Sequence, residues 1–182
     1  MRLFVSVDLD GLADPVAEGQ APFRDLPGLS PTDPEQAHVT MKFLGEDDHD
    51  RAALSAAIDR AVDAADVEPF EARIEGLGVF PSIDSISVVW LGVADGSAEL
   101  TALQAALEAE TTAIGYDPEA HEFRPHVTLA RMEHAAAKED VQRAVRERDP
   151  EVGTLDVREL RLTESTLAPS GPEYETLERF EL

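Results

Sequence analysis

The chain has 182 residues, of which 43% are hydrophobic, and its formal net charge is −23 from 38 acidic and 15 basic residues. This length and apolar content predict one domain with a buried core. The absence of cysteine excludes disulfides and thiolate chemistry. No apolar run is long enough to cross a bilayer, and the alternating residues 1–8 do not read as a signal peptide. We therefore expect a cytoplasmic protein, and we expect it to be a monomer.

The acidic residues are spread along the whole chain, and only two of the bases are lysines, Lys42 and Lys138. High charge is typical of disorder, but the apolar periodicity persists throughout and indicates a folded chain. A folded, acidic, lysine-poor domain is typical of a high-salt cytoplasm of the haloarchaeal type, because at about 1 M salt the Debye length falls to ~3 Å and self-repulsion is screened. The alternative is an acidic surface for a basic partner.

Apolar periodicity and turn residues predict an alternation of strands and helices. The first half is predicted to contain strands at 2–9, 37–44 and 70–80, with helices at 13–25 and 50–65. The second half repeats this order, with strands at 86–93, 124–132 and 155–165 and helices at 98–114 and 135–148, and a last strand covers 174–182. The sequence therefore predicts one α+β domain over 1–182, built from a pseudo-repeat of 2–80 and 86–165.

One tetrapeptide pattern occurs once in each half of this repeat. His38 begins the run His-Val-Thr-Met, and His126 begins the run His-Val-Thr-Leu. Side chains in a strand alternate between two faces, so each run places an imidazole and a threonine hydroxyl on one face and two apolar side chains on the other. We expect the two copies to face each other across one cleft.

Two imidazoles facing one reacting group can supply a general base and a general acid in the same step. The hydroxyls of Thr40 and Thr128 can donate hydrogen bonds to anionic oxygens. This set of groups indicates phosphodiester chemistry in which no metal is needed. The strong acidity of the chain excludes nucleic-acid binding through a broad basic face. It leaves open the binding of one phosphate in a cleft, because that binding depends on nearby arginines and not on the net charge.

Other candidate sites in the sequence are weaker. Residues 46–50, four acidic residues and His49, could be interpreted as a metal cluster, but they match the start of a helix better. His121 and His126 lie close in sequence, but they lack a third ligand at a suitable spacing for zinc. Trp90 is predicted to lie in the core. Phe80, at the end of a strand near the cleft, is the better candidate for stacking on a terminal base.

The two tetrapeptides, together with their flanks, resemble the signature of the 2H phosphoesterase superfamily. The match is to its RNA 2′,3′-cyclic phosphodiesterase branch, also called the 2′-5′ RNA ligase family. The similar segments cover essentially the whole chain in order, and they read RLFVSVD at 2–8, HVTMKFLG at 38–45, VVWLG at 88–92, PHVTLAR at 125–131, LTES at 162–165 and GPEY at 171–174. The resemblance implies a bilobal α+β fold with two antiparallel sheets facing across a central cleft and helices on the outside.

The resemblance also implies the activity and its residues. The expected reaction is hydrolysis of an RNA 2′,3′-cyclic phosphate end to a 2′-phosphate, with a reversible, ATP-independent 2′-5′ joining of RNA ends. By similarity, His38 protonates the departing O3′ and His126 activates water. Thr40 and Thr128 hold the non-bridging oxygens, and Tyr174 lines the cleft. Three alternatives stay open: a small cyclic phosphate as substrate, a 2′-5′ oligonucleotide as substrate, and a non-catalytic nucleotide-binding module.

Arg131 matches the arginine that closes the second motif of the family, and a guanidinium suits a developing dianion. Strict alternation argues against this role, because Arg131 lies an odd number of residues after His126. It can reach the cleft only if the strand bends or ends before it. The corresponding position after His38 is Phe43, so the sequence predicts one cation for one phosphate.

Overall fold

The computed structural model describes all residues, 1–182, as four α-helices and nine β-strands. The helices are α1 (Ala13–Gln20), α2 (Arg51–Ala65), α3 (Ser97–Ala113) and α4 (Lys138–Glu147). The strands are β1 (Arg2–Asp8), β2 (Leu29–Pro31), β3 (His38–Gly45), β4 (Phe70–Ser82), β5 (Ser85–Val93), β6 (His126–Met132), β7 (Glu151–Val157), β8 (Glu159–Ala168) and β9 (Gly171–Glu181). Two 3-10 turns, Pro34–Gln36 and Ala135–Ala137, precede β3 and α4.

The strands form two antiparallel lobes that share an edge. The first lobe contains β3, β1, β8 and β9, and the second contains β6, β5, β4 and β7, each in this order from the shared edge outward. β3 and β6 pair at Val39 and Val127, which joins the lobes into one strongly curled sheet. The α+β fold with two antiparallel units around a cleft is thus confirmed, with the sheets continuous at their shared edge.

The helices cover the face of the sheet that is opposite the cleft. α3 packs on β3 and α1 on β6, while α2 packs on α3 and β9. The buried leucines of α3 and the apolar side chains of both motif strands belong to a single core. Since one face of each motif strand is thereby buried, the register of both strands is strongly specified.

The halves 2–80 and 86–165 of the predicted repeat do not coincide with the two lobes. β4 belongs to the first half of the sequence and pairs with β5 and β7 of the second lobe. β8 belongs to the second half and pairs with β1 of the first lobe. Each half of the chain therefore contributes a strand to the other lobe.

One predicted element differs in the structure, and one observed strand was not predicted. The single strand expected at 155–165 is two strands, because the chain leaves the second lobe after Val157 and enters the first lobe at Glu159. Alternation breaks at this crossing, where the two consecutive polar residues Arg158 and Glu159 separate the buried Val157 from the buried Leu160, so the sequence pattern does carry a signal of it. The short strand β2, which pairs with β6, was not predicted, because its three residues contain a proline and carry no periodicity.

No helix is both long and apolar enough to span a membrane.

Candidate active site

The paired strands β3 and β6 bring the two motifs together on one face. Val39 pairs with Val127 in antiparallel register, so His38 lies level with Thr128, and Thr40 lies level with His126. All four side chains are half-buried, while the alternating valines are buried on the opposite face. A regular ladder at this register places the Cα atoms of the two histidines about 8 Å apart. The predicted convergence of His38, Thr40, His126 and Thr128 therefore has a geometric basis in this one pair of strands.

Each histidine is oriented by a backbone carbonyl two residues earlier in the chain. Nδ1 of His38 lies 2.9 Å from the carbonyl oxygen of Gln36, and Nδ1 of His126 lies 2.7 Å from that of Arg124. A carbonyl only accepts, so Nδ1 carries the proton and donates in both rings, leaving Nε2 as the basic nitrogen. Nε2 of His38 accepts a hydrogen bond from the hydroxyl of Thr40 at 3.0 Å. The same hydrogen bond at Nδ1 thus leaves Nε2 as the reactive nitrogen in both rings.

Burial lowers the pKa of both histidines below the usual 6.5. For each, the bond to the upstream carbonyl opposes this effect. The nearby charge of Asp8 also opposes the lowering of the His38 pKa, whereas Arg131 adds to the lowering in both rings. Both imidazoles are therefore neutral near pH 7 without a ligand, and an anion bound between them would favour protonation of one.

An aromatic wall stands beside each imidazole. In the first lobe, the ring of Tyr174 meets His38 edge-on, with centroids 5.2 Å apart and an interplanar angle of 87°. In the second lobe, Phe80 meets His126 edge-on at 4.8 Å and 88°. The structure thus places Phe80 and Tyr174 in corresponding positions on opposite sides of the site.

Trp90 was predicted to lie in the core, and this prediction is wrong. Its ring is half-buried on the cleft face of β5, with centroids 6.0 Å from His126 and 5.0 Å from Phe80. The ring lies directly over Gly78 of the neighbouring strand, where an added Cβ atom would come within 2.2 Å of it. Only glycine leaves room for this arrangement, and the pairing of Gly78 with Trp90 depends on the register of the two strands, which no local sequence pattern shows.

Arg131 reaches the cleft because β6 contains a bulge. Thr128 pairs with Trp90 and Ala130 pairs with Val89, so Leu129 has no partner in β5. Two consecutive residues, Leu129 and Ala130, are buried as a result, and Arg131 is exposed on the face of His126. The extra residue of a bulge reverses the alternation that follows it. The structure thus shows the irregularity that the sequence required before Arg131 could reach the cleft.

The same irregularity occurs in β3. Thr40 pairs with Ser6 and Lys42 pairs with Val5, so Met41 is unpaired and Lys42 is turned toward the core. Phe43 then returns to the cleft face, where 55% of its surface is exposed and its ring lies 6.3 Å from that of Phe4. Phe43 and Arg131 are therefore counterparts in structure as well as in sequence.

The arginines of the two lobes differ in what their charge acts on. Arg2 of the first lobe makes no ion pair, but its charge acts on Tyr174 and not on the imidazoles. Arg161 of the first lobe is neutralised by Asp8, Asp10 and Glu159. Arg131 of the second lobe has no carboxylate within ion-pair distance, although acidic residues outnumber basic ones by more than two to one. Arg131 is thus a cation that is free to bind an anion beside both imidazoles.

Sequence reasoning missed one residue that organises the first lobe. Gln36 orients His38 through its carbonyl, and its side chain connects to the β8–β9 hairpin. Its Nε2 donates to the carbonyl of Pro172 at 2.9 Å, and its Oε1 accepts from the backbone N–H of Tyr174 at 2.9 Å. Gln36 precedes the strand and carries no periodic signal, so no pattern in the sequence could have indicated it.

No group of three or more histidine, aspartate or glutamate side chains is arranged to hold a metal ion. Residues 46–50 lead into α2, where the carboxylate of Asp50 accepts a hydrogen bond from the backbone N–H of Ala53 at 3.1 Å. This contact is a helix cap, as the sequence indicated.

A family model described as the 2′-5′ RNA ligase superfamily matches residues 13–167. The chain belongs to this superfamily. The match includes both motif strands and the β6 bulge, and it ends before the strand that carries Tyr174.

Relatives within the 2′-5′ RNA ligase superfamily extend the likeness to the whole chain. A protein of Aeropyrum pernix named RNA 2′,3′-cyclic phosphodiesterase is 35% identical over 167 residues, which cover 91% of this chain and 90% of the relative. A protein of Archaeoglobus fulgidus with the same name is 34% identical over 186 residues and covers both chains completely. Because these alignments span both lobes, the likeness includes both motif strands.

Solved structures agree with this assignment to the 2′-5′ RNA ligase superfamily. A crystal structure of a Thermus thermophilus protein superposes with a TM-score of 0.79 at 31% identity, covering 100% of this chain and 98% of the other. The crystal structure of E. coli LigT complexed with 3′-AMP superposes with a TM-score of 0.80 at 25% identity, covering 100% and 97%. The curled two-lobed sheet is therefore the fold of these neighbours.

Proposed function

We propose that this protein hydrolyses the 2′,3′-cyclic phosphate at an RNA end and leaves a 2′-phosphate. The observation that carries the proposal is the pair of imidazoles on one strand face, each oriented by a carbonyl at Nδ1, with the unpaired Arg131 beside them. The names of the relatives support the same reaction. Two nitrogens able to exchange protons and one free cation match the needs of an in-line displacement at phosphorus.

In the proposed reaction, Nε2 of His126 removes a proton from water as the water oxygen forms a bond to phosphorus. The bond from phosphorus to O3′ breaks, and Nε2 of His38, protonated once the anion is bound, gives its proton to O3′. The products are a 2′-phosphate and a free 3′-hydroxyl. His126 ends protonated and His38 neutral, and exchange with solvent restores the starting state. Joining of RNA ends follows the same route in the same direction, with a 5′-hydroxyl in place of water, and leaves a 2′-5′ linkage and a free 3′-hydroxyl. Cleavage of that linkage is the reverse step, in which the 3′-hydroxyl attacks phosphorus and the 5′-hydroxyl leaves.

Charge on the phosphate is held by three further groups in this proposal. The hydroxyls of Thr40 and Thr128 donate to the non-bridging oxygens, and the guanidinium of Arg131 binds the developing dianion. In the free protein the Thr40 hydroxyl donates to His38 instead. Binding of the anion would therefore redirect this hydroxyl at the moment that His38 gains its proton.

The terminal base is proposed to stack on Phe80. This ring forms the second-lobe wall beside His126, and Trp90 packs against it and limits its movement. All proposed groups come from one chain and none requires a metal, so the proposal describes a metal-independent monomer. With RNA ends as its substrate, the protein would act in the cytoplasm.

A second candidate substrate is a small cyclic nucleotide. E. coli LigT, which has the same fold, is known in complex with 3′-AMP, a mononucleotide. The same groups would act on a cyclic mononucleotide, and the two substrates differ only in the RNA chain that precedes the phosphate.

The decisive experiment measures the product and the position of its phosphate. The protein is incubated in high salt with EDTA and either an RNA oligonucleotide ending in a 2′,3′-cyclic phosphate or the cyclic mononucleotide. We expect a 2′-phosphate product, with turnover reduced by about 10² to 10⁴-fold in His38→Ala and in His126→Ala. His121→Ala is the matched control, because this histidine is exposed and makes no hydrogen bond.

Absence of product from the unaltered protein, or full turnover by both histidine variants, would contradict the proposal. Turnover of the mononucleotide at a higher kcat/KM than the RNA would favour the second candidate substrate. Tight nucleotide binding without turnover would indicate a binding module instead.

A further inference from the structure

The bulge in β6 is bound on its other edge by two residues, Thr32 and Gln20. In a regular strand, successive carbonyl groups point to opposite edges. At this bulge the carbonyls of Thr128 and Leu129 both face Thr32: the Thr32 hydroxyl donates to the carbonyl of Thr128 at 2.9 Å, and its backbone N–H donates to the carbonyl of Leu129 at 2.9 Å. Thr32 therefore recognises an arrangement that exists only when the extra residue is present.

Gln20 completes this contact from the end of α1. Its side chain is 2% exposed, and its Nε2 donates to the carbonyl of Leu129 at 3.0 Å and to the carbonyl of Thr32 at 2.7 Å. A buried amide with two such bonds has little freedom to move. Gln20 thus connects the bulge to the residue that recognises it.

The alternative to the bulge is a regular β6. In that register Arg131 would point toward the core and Ala130 toward the cleft, because a shift of one residue reverses every side chain that follows. One carbonyl of the pair at Thr128 and Leu129 would turn away from Thr32 toward β5. The hydrogen bonds of Thr32 and Gln20 therefore favour the register that presents Arg131 to the phosphate.

We propose that Thr32 and Gln20 are positioning residues, which hold the β6 bulge and so aim Arg131 at the reacting phosphate. The inference rests on the proposed function, because its effect is read through that reaction. Neither side chain touches the substrate. They act entirely through the backbone of Thr128 and Leu129. In the β3 bulge, by comparison, no side chain makes an equivalent pair of hydrogen bonds.

The test is a double-mutant cycle between Thr32 and Arg131. Thr32→Val keeps the shape and the backbone N–H but removes the hydroxyl, and we expect kcat to fall about 10-fold with little change in KM. Thr32→Ser keeps the hydroxyl and should restore most of the activity. In an Arg131→Ala background, Thr32→Val should cost less than about 2-fold, because the group that it positions is already absent.

Thr111→Val is the matched control. Thr111 is also a buried threonine whose hydroxyl donates to a carbonyl, that of Leu107 at 2.7 Å, but it lies in α3 away from the cleft. If Thr32→Val lost activity only because its fold is weaker, then Thr111→Val with the same melting temperature would lose activity to the same extent. Gln20→Met, which keeps the side-chain length, is carried through the same cycle, so the inference is tested even if Thr32→Val does not fold.

The pH profile gives a second readout. If Arg131 moves away from the imidazoles, both limbs of the kcat/KM profile should shift to higher pH in Thr32→Val, in the same direction as in Arg131→Gln. An equal cost of Thr32→Val with and without Arg131, or an unchanged kcat in both Thr32→Val and Gln20→Met, would overturn the inference. Failure of the proposed function is distinct, because it appears as an inactive unaltered protein.

Discussion

The two motif strands share one geometry but present different chemistry to the cleft. β3 and β6 each begin with a histidine that is bound to the carbonyl two residues earlier, and each contains a bulge three residues into the motif. The residue after the bulge is Phe43 in one strand and Arg131 in the other. The two backbones therefore point their side chains in the same directions, and the identity of the residue after the bulge decides whether a charge faces the cleft.

The bulges also differ in what they bury. In β6 the two consecutive buried residues are apolar, Leu129 and Ala130. In β3 they are Met41 and Lys42, and Lys42 is only 2% exposed. Its amine donates to Oε2 of Glu108 at 2.9 Å and to the carbonyl of Asp117 at 2.7 Å. The first-lobe bulge therefore requires a buried ion pair with α3, which the second-lobe bulge does not.

The largest expected difference between the two motif strands comes from removing the charge of Arg131. Arg131→Ala should lower kcat/KM by about 10² to 10³-fold, because a fixed cation beside the phosphate is lost. Phe43→Ala, at the corresponding position of β3, should lower it by less than about 10-fold. Steady-state rates on the cyclic-phosphate RNA measure both, with Arg24→Ala as the control, since Arg24 is exposed and donates only to the carbonyl of Ala17. Equal losses of kcat/KM in Arg131→Ala and Phe43→Ala would show that the difference between these two positions does not affect the reaction.

The buried ion pair of the first lobe should dominate the stability difference. Lys42→Met removes the charged hydrogen bond to Glu108, whose side chain is 24% exposed and still accepts from the backbone N–H of Glu119, and should lower the free energy of unfolding by about 1.5 kcal/mol. Lys138→Met, at the other lysine of the chain, should change it by less than about 0.5 kcal/mol, because Lys138 makes no ion pair. Urea denaturation at constant high salt measures both variants. A stability unchanged in Lys42→Met would mean that this bulge does not depend on the pair.

The two aromatic walls should differ in their effect on substrate binding. Phe80→Ala should raise KM about 10-fold, which corresponds to ~1.4 kcal/mol and lies within the range for base stacking. Tyr174→Phe keeps the ring that meets His38 edge-on and should have an effect of less than about 2-fold. Measurement of KM on RNA ends with purine and pyrimidine termini tests the difference. A larger effect at Tyr174 would place the base on the first lobe.

The smallest expected effects are shifts in the pH profile. Burial lowers the pKa of both histidines, so both limbs of the kcat/KM profile should lie below pH 6.5. Arg131→Gln removes a charge that lowers both values and should move both limbs to higher pH. Asp8→Asn removes a charge that raises the His38 pKa and should move one limb to lower pH. Movement of both limbs in Asp8→Asn would contradict the separate environments of the two rings.

Burial of the neutral imidazoles has a consequence for stability as well. Each histidine has a lower pKa in the folded state than in the unfolded chain, so the unfolded chain binds more protons at acidic pH. The contribution of both residues is therefore fully present above the unfolded pKa of about 6.5 and is lost as the pH falls below it. Thermal unfolding across this range should show a smaller acid loss in His38→Ala and His126→Ala than in the unaltered protein.

The sequence by itself determined the nine strands only in part, since β2 and the split between β7 and β8 were missed, but it indicated all four helices and the four motif residues. Period-two alternation in 38–41 and 126–129 is sufficient to place His38, Thr40, His126 and Thr128 on the same faces of their strands, because alternation is a local property of the backbone. The duplication then indicated one site rather than two. Helices α2 and α3 were predictable for the same reason, since their apolar spacing is local.

Only the tertiary structure decided the placement of Arg131, Trp90 and Gln36. Arg131 faces the cleft because of a bulge that is contacted by residues 96 and 109 positions earlier, and no local pattern contains those contacts. Trp90 lies in the cleft because Gly78 of another strand makes room for it, and Gln36 acts through a hairpin at the opposite end of the chain. Register, bulges and crossings between lobes depend on contacts between distant segments, so alternation predicts the faces of a strand but not where that alternation breaks.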